Sequence, residues 1–142
     1  MKKIGLLILS FLLFVSCSND TKDDSKEIVP FAPSDYYGKW VQFVDSKFAN
    51  DPSSKQFSYV FNNDKTFVKT RSYDNKITTL SGTFGIVTNN NVTQFILSYK
   101  EYNMIISNCS SDLKESFTLD KLNHLNDNAS ACDRSYIFKK EE

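Results

Sequence analysis

Between Trp40 and Lys140, short runs of aromatic and β-branched residues alternate with clusters of Asn, Asp and Ser, and no long stretch places apolar residues at helical spacing. This pattern restricts the chain more than any other feature it has. It predicts strands over 39–44, 57–61, 66–73, 77–87, 92–99, 102–107 and 115–119, a further segment over 120–125, and a last strand over 135–139. The separators Asn62-Asn63-Asp64-Lys65, Asp74-Asn75-Lys76, Asn89-Asn90-Asn91 and Ser110-Ser111-Asp112 are rich in residues that bond their own backbone and tolerate positive φ. Consecutive strands joined this way form an antiparallel meander.

Alternation assigns one apolar side to each strand. Phe57, Tyr59 and Phe61 share a face, as do Leu80, Phe84 and Ile86, and Phe95, Leu97 and Tyr99. About eight such strands remove their exposed edges best by closing, so the expected fold is all-β, a small antiparallel up-and-down β-barrel. Gly82 and Gly85, inside the longest segment, are expected at a bulge or sharp bend.

The barrel is preceded by two other kinds of sequence. Lys2 and Lys3 followed by an apolar run from Ile4 to Val15 form an export signal, too short to cross about 30 Å of hydrocarbon. Phe14-Val15-Ser16-Cys17 resembles the lipobox of bacterial lipoproteins, with Phe14 where Leu is usual. The resemblance implies cleavage before Cys17 and lipidation of its thiol, with several acyl chains giving the durable membrane attachment that one would not. Lys22-Asp23-Asp24 resembles the signal by which some Gram-negative bacteria display lipoproteins on the outer face of the outer membrane. The implied location is the outer membrane, lipid-anchored and surface-exposed, with its periplasmic face as the alternative. The organisation is then a signal peptide over 1–16, a lipidated cysteine and flexible acidic tether over 17–35, and a domain over 36–142.

The start of that domain, Tyr37-Gly38-Lys39-Trp40, resembles the G-x-W signature of lipocalins. The run from Phe57 to Phe67, the strand Ser81-Gly82-Thr83-Phe84-Gly85-Ile86 and the closing Arg134-Ser135-Tyr136-Ile137-Phe138-Lys139-Lys140 resemble segments of bacterial lipocalin-like lipoprotein domains. The resemblance implies a barrel whose Gly38 and Trp40 close one end, with Arg134 or Lys139 as the basic residue over the indole.

Chemistry-bearing residues are sparse. With Cys17 lipidated, Cys109 and Cys132 remain as a pair, and an oxidising compartment favours their disulfide, which would stabilise the fold by roughly 3 kcal/mol. His124, the only histidine, lies between Asp120 and Asp127 without a G-x-S-x-G turn. Zinc would need more ligands than one His and a bridged cysteine pair supply, and the run from Asn126 has Ala131 and Ile137 where an EF-hand needs Gly and Glu. No metal, cofactor or enzymatic activity is expected. Losing Lys2 and Lys3 from 17 basic and 17 acidic residues leaves a near-neutral chain, unlike an electrostatic nucleic-acid binder.

Two functions fit these features. The first is a carrier holding a small apolar or amphipathic ligand among Tyr59, Phe61, Phe84, Phe95, Leu97, Met104 and Phe117. The second is a barrel filled by its own side chains that contacts a protein, such as an outer-membrane partner or a foreign enzyme, through loops such as residues 45–55.

Overall fold

A computed structural model describes residues 33–44, 51–132 and 136–142. Eight strands follow one another in sequence and close into a barrel: β1 (Gly38–Gln42), β2 (Gln56–Phe61), β3 (Thr66–Tyr73), β4 (Lys76–Asn89), β5 (Val92–Tyr99), β6 (Lys114–Leu119), β7 (His124–Asp127) and β8 (Ile137–Lys140). Every neighbouring pair is antiparallel, and β1 pairs with both β2 and β8. Short 3₁₀ helices span Pro33–Tyr36 and Asn128–Cys132.

The tight turns form as the sequence predicts. Tyr73 pairs with Lys76 and Asn89 with Val92, leaving two-residue loops in which Asp74, Asn75, Asn90 and Asn91 all have φ between 48° and 62°. Two consecutive positive φ values give the twist a two-residue hairpin needs, and Asn and Asp bear them at least strain.

Alternation then fixes the interior. Trp40 stands opposite Tyr59, Tyr59 opposite Lys69, Phe61 opposite Phe67, Phe84 opposite Leu97 and Phe95 opposite Phe117, and all of these are buried. The rings interlock: Phe61 lies 4.8 Å from Phe84 and 5.3 Å from Phe95, and Tyr59 lies 5.1 Å from Phe117 and 5.0 Å from Phe138. Such spacing is edge and tilted contact, with each ring filling the space beside the next.

Three expectations change, the first being that the segment expected over 120–125 is a turn over 120–123 that leads into β7 at His124. Gly82 and Gly85 sit in unbroken ladders rather than at a bulge. Gly82 is required by space, since a Cβ there would stand 2.2 Å from Ser98 O and 2.7 Å from the Phe67 ring. The segment 102–107 is no strand: β5 runs to β6 through an irregular strap over 100–113 that turns across the end of the barrel. The adjacent residues Ile105 and Ile106 are both buried there, which no strand facing a core on one side allows.

The barrel therefore has two unlike ends. The closed end carries the Pro33–Tyr36 helix and the β2–β3, β4–β5 and β6–β7 turns; the mouth carries the strap, the β3–β4 turn and the Asn128–Cys132 helix.

Candidate functional site

At the closed end Trp40 is fully buried, its Nε1 donating to Tyr36 O at 3.1 Å, and Tyr36 lays its ring 5.4 Å from Phe95. Gly38 has a φ of 108°, a conformation open to glycine. Lys139, one of the two basic residues expected over the indole, holds its ammonium 3.9 Å above Phe43 instead, because the odd positions of β8 face outward. Arg134 and Cys17 lie outside the described residues, as do 45–50 of the loop expected to carry a patch.

Toward the mouth the interior turns polar. Lys69 occupies an inward position of β3 between Phe67 and Arg71, and Glu115 an inward position of β6 two residues before Phe117. Their side chains are 1 % and 0 % exposed and meet at 2.5 Å. Lys69 Nζ also donates to Ile105 O at 2.6 Å and stands 5.0 Å and 5.2 Å above the Phe57 and Tyr59 rings. Glu115 Oε1 accepts from Lys69 and from the Ser107 N–H, while Oε2 accepts from the Tyr59 and Tyr99 hydroxyls. Four donors on one carboxylate are what a buried charge needs to persist in a low-dielectric interior.

The surroundings respond to that charge. Burial, then repulsion from Glu115, pushes both tyrosine hydroxyls well above their ordinary range, so they stay protonated and can donate to the carboxylate. Asp127, buried on β7, has its carboxyl raised by burial and next by Glu115, against a hydrogen bond from the Ala129 N–H at 2.8 Å. The Ser107 hydroxyl is buried beside the Asp127 carboxyl, which it helps to hold down.

The strap is tied over this cluster at two points. Ile105 O and the Ser107 N–H engage Lys69 and Glu115, and Ile106 packs into the aromatic core. Just beyond, Cys109 is joined to Cys132, with Cα atoms 5.6 Å apart. The expected pairing is therefore formed, and it fastens the strap to the segment leading into β8.

Six of the seven expected lining residues, Tyr59, Phe61, Phe84, Phe95, Leu97 and Phe117, face the interior and pack on one another. Met104 does not: it is 74 % exposed at the strap's turn, with Tyr102 beside it at 80 %. Lys69, Glu115, Tyr99 and the strap's own backbone are not among the site residues the sequence suggests. A signal for two of them exists, since Lys69 keeps period two with Phe67, and Glu115 with Phe117.

His124 opens β7, directly after the β6–β7 turn. Asp120 accepts from the Leu122 and His124 N–H groups at 2.8 Å and 2.9 Å and from Asn126, with His124 Nδ1 3.5 Å from its other oxygen. That geometry builds a turn. Among the described residues no three His, Cys, Asp or Glu side chains gather where a metal ion could be held. Surface hollows lie toward both ends: one of about 560 Å³ under the closed end, around Leu122, His124 and Lys140, and one of about 410 Å³ beside the strap, around Asn108, Ser116 and Asn128.

No protein-family model, no curated protein and no solved structure matches the chain. The eight-stranded antiparallel barrel fits a lipocalin-like architecture.

Proposed function

We propose that this chain is a lipid-anchored surface module whose filled barrel presents its mouth to another protein. The observation that carries the reading is the pairing of a packed interior with an apolar rim. The six inward candidates are at most 5 % exposed, whereas Phe43, Tyr73, Ile77, Tyr102 and Met104, around the mouth, are 40 % to 80 % exposed, against only Val87, Val92 and Leu122 toward the closed end among the described residues. The exposed aromatic and Met side chains among them, Phe43, Tyr73, Tyr102 and Met104, are of the residue types enriched at protein-contact sites.

The anchor supports the same orientation. The described chain enters the barrel at the closed end, through Pro33–Tyr36, so a tether from a lipid on Cys17 would join that end and leave the mouth unobstructed. Incorporation of a labelled palmitate that disappears in Cys17→Ser tests the anchor.

Photo-crosslinking in intact host cells tests the contact. A photoreactive residue at position 102 or 104 should give a discrete protein adduct, and one at position 122, on the closed end, should not. Equal yields from both ends would overturn the assignment of the mouth. A small molecule retained stoichiometrically in native mass spectrometry would instead favour the carrier.

A further inference from the structure

The strap meets the buried pair in a specific pattern. Ile105 presents a carbonyl to Lys69 Nζ, Ser107 presents an N–H to Glu115 Oε1, and the Ile106 side chain between them enters the aromatic core. A backbone acceptor, an aliphatic side chain and a backbone donor in consecutive residues are the groups of a short neutral peptide. Ile105, Ile106 and Ser107 are 2 %, 8 % and 3 % exposed, while Tyr102 and Met104 just before them are in solvent. The insertion is therefore confined to three residues that belong to no ladder, held by Lys69 and Glu115 at two backbone groups and by the Ile106 N–H donating to Asn103 O at 3.0 Å within the strap.

We propose that the barrel mouth is a binding site for a short aliphatic peptide, occupied in this state by the chain's own Ile105–Ser107. Lys69 supplies the donor for the peptide carbonyl, Glu115 the acceptor for the N–H two residues on, and the ring cluster the pocket for the side chain between them. A neutral ligand suits the charges present. Glu115 and Asp127 already offset Lys69, so an added carboxylate would meet repulsion, whereas a peptide carbonyl adds no charge. The Cys109–Cys132 bridge lies outside the inserted residues, so they can leave the site while the strap stays fastened beyond them.

The test supplies the segment in trans. In the full chain, Ile106→Gly with Ser107→Pro removes the inserted side chain and the N–H that holds the strap on Glu115, and an acetylated, amidated Asn-Met-Ile-Ile-Ser-Asn peptide, the sequence of 103–108, is titrated in by calorimetry. Saturable one-to-one binding is expected, weakened about tenfold or more when the peptide's Ser nitrogen is methylated, because one hydrogen bond to a charged acceptor is removed. Absence of binding at millimolar peptide to a variant that keeps the wild-type circular dichroism, or binding indifferent to that methyl group, overturns the proposal.

Hydrogen exchange on the unmodified chain decides the matter if the double variant does not fold. The Ile106 and Ser107 amides should exchange through a local opening well before those of β5 and β6, and exchange only through global unfolding overturns the proposal. Either measurement reads the site alone. Failure here leaves the apolar rim as a contact surface, and failure of the rim crosslinks leaves the peptide site standing.

Discussion

The two ends of this barrel are sealed by different physics. At the closed end Tyr36, Trp40, Phe61, Phe84 and Phe95 exclude water with ring surface, and the one buried polar atom of Trp40 finds Tyr36 O within the same turn of chain. At the mouth the seal is a lysine and a glutamate held by two tyrosines and by strap backbone. Ring packing is cumulative and tolerant, so trimming one ring weakens the seal in proportion to the surface removed. A buried ion pair is all or nothing, because removing one partner strands the other in a medium that cannot solvate it. The closed end is thus built to stay shut, and the mouth to depend on a few groups.

Single substitutions separate these modes most sharply. Lys69→Met strands Glu115 and should lower unfolding free energy by about 3–5 kcal/mol, whereas Lys69→Met with Glu115→Gln, which keeps an acceptor for Tyr59 and Tyr99, should be less damaging than the single change. Phe61→Ala at the closed end should cost a similar amount, about 3–5 kcal/mol, through cavity formation, and no second substitution of matching charge should rescue it. Urea titrations of the four proteins decide; a double variant no better than Lys69→Met would mean the pair is not the seal.

Next in size is the disulfide. Reduction should destabilise the chain by roughly 3 kcal/mol in the chain-entropy model, and hydrogen exchange should rise in the strap and around Asn128–Cys132 before it rises in β2, β3 or β4. Uniform acceleration would count against a locally fastened mouth. The hairpin turns offer a smaller, symmetrical control. Asn75→Ala at the mouth and Asn91→Ala at the closed end, with φ of 56° and 62°, should each cost about 1 kcal/mol, since the strain is local and indifferent to the seal.

The smallest effect differs in sign between the ends. Burial and then Glu115 raise the Asp127 carboxyl, so the folded chain binds that proton more readily than the unfolded one. Its contribution favours folding at acid pH and is lost as pH rises through the raised value. Asp120, in the closed-end turn, is pushed up by burial but pulled below its usual range by hydrogen bonds from Asn126, His124 and Leu122. Its contribution is present above the ordinary carboxylate range and is lost as pH falls through the depressed value. Relative to wild type, Asp127→Asn should therefore gain stability as pH rises, and Asp120→Asn should lose it. Matching slopes would remove the contrast.

Most of the closed end is legible in the sequence, and much of the mouth is not. Period two places Phe57, Tyr59, Phe61, Phe95 and Leu97 on interior faces, and the Asn-rich separators become turns with positive φ, because both signals are local. The run Asn-Met-Ile-Ile-Ser at 103–107 reads as a strand, since its apolar residues are flanked by polar ones. It is an insertion satisfied by Lys69 and Glu115, of which Lys69 is distant in sequence. Lys69 and Glu115 themselves look like ordinary outward charges until their register is known. Period two with Phe67 and Phe117 hints at an inward position for each, and the pairing of Tyr59 with Lys69, and of Leu97 with Glu115, confirms it.

The closure of β1 on β8 has a kinetic consequence. Trp40 pairs with Lys140, so the last ladder joins segments separated by nearly the whole domain, and the entropy of that loop must be overcome before the pairing returns anything. Until β8 has emerged, β1 and β7 each keep an open edge and Trp40 lacks part of its cover. The chain then stays a substrate for proteases and for any machinery that threads unfolded polypeptide, and becomes resistant to both only when its final strand arrives.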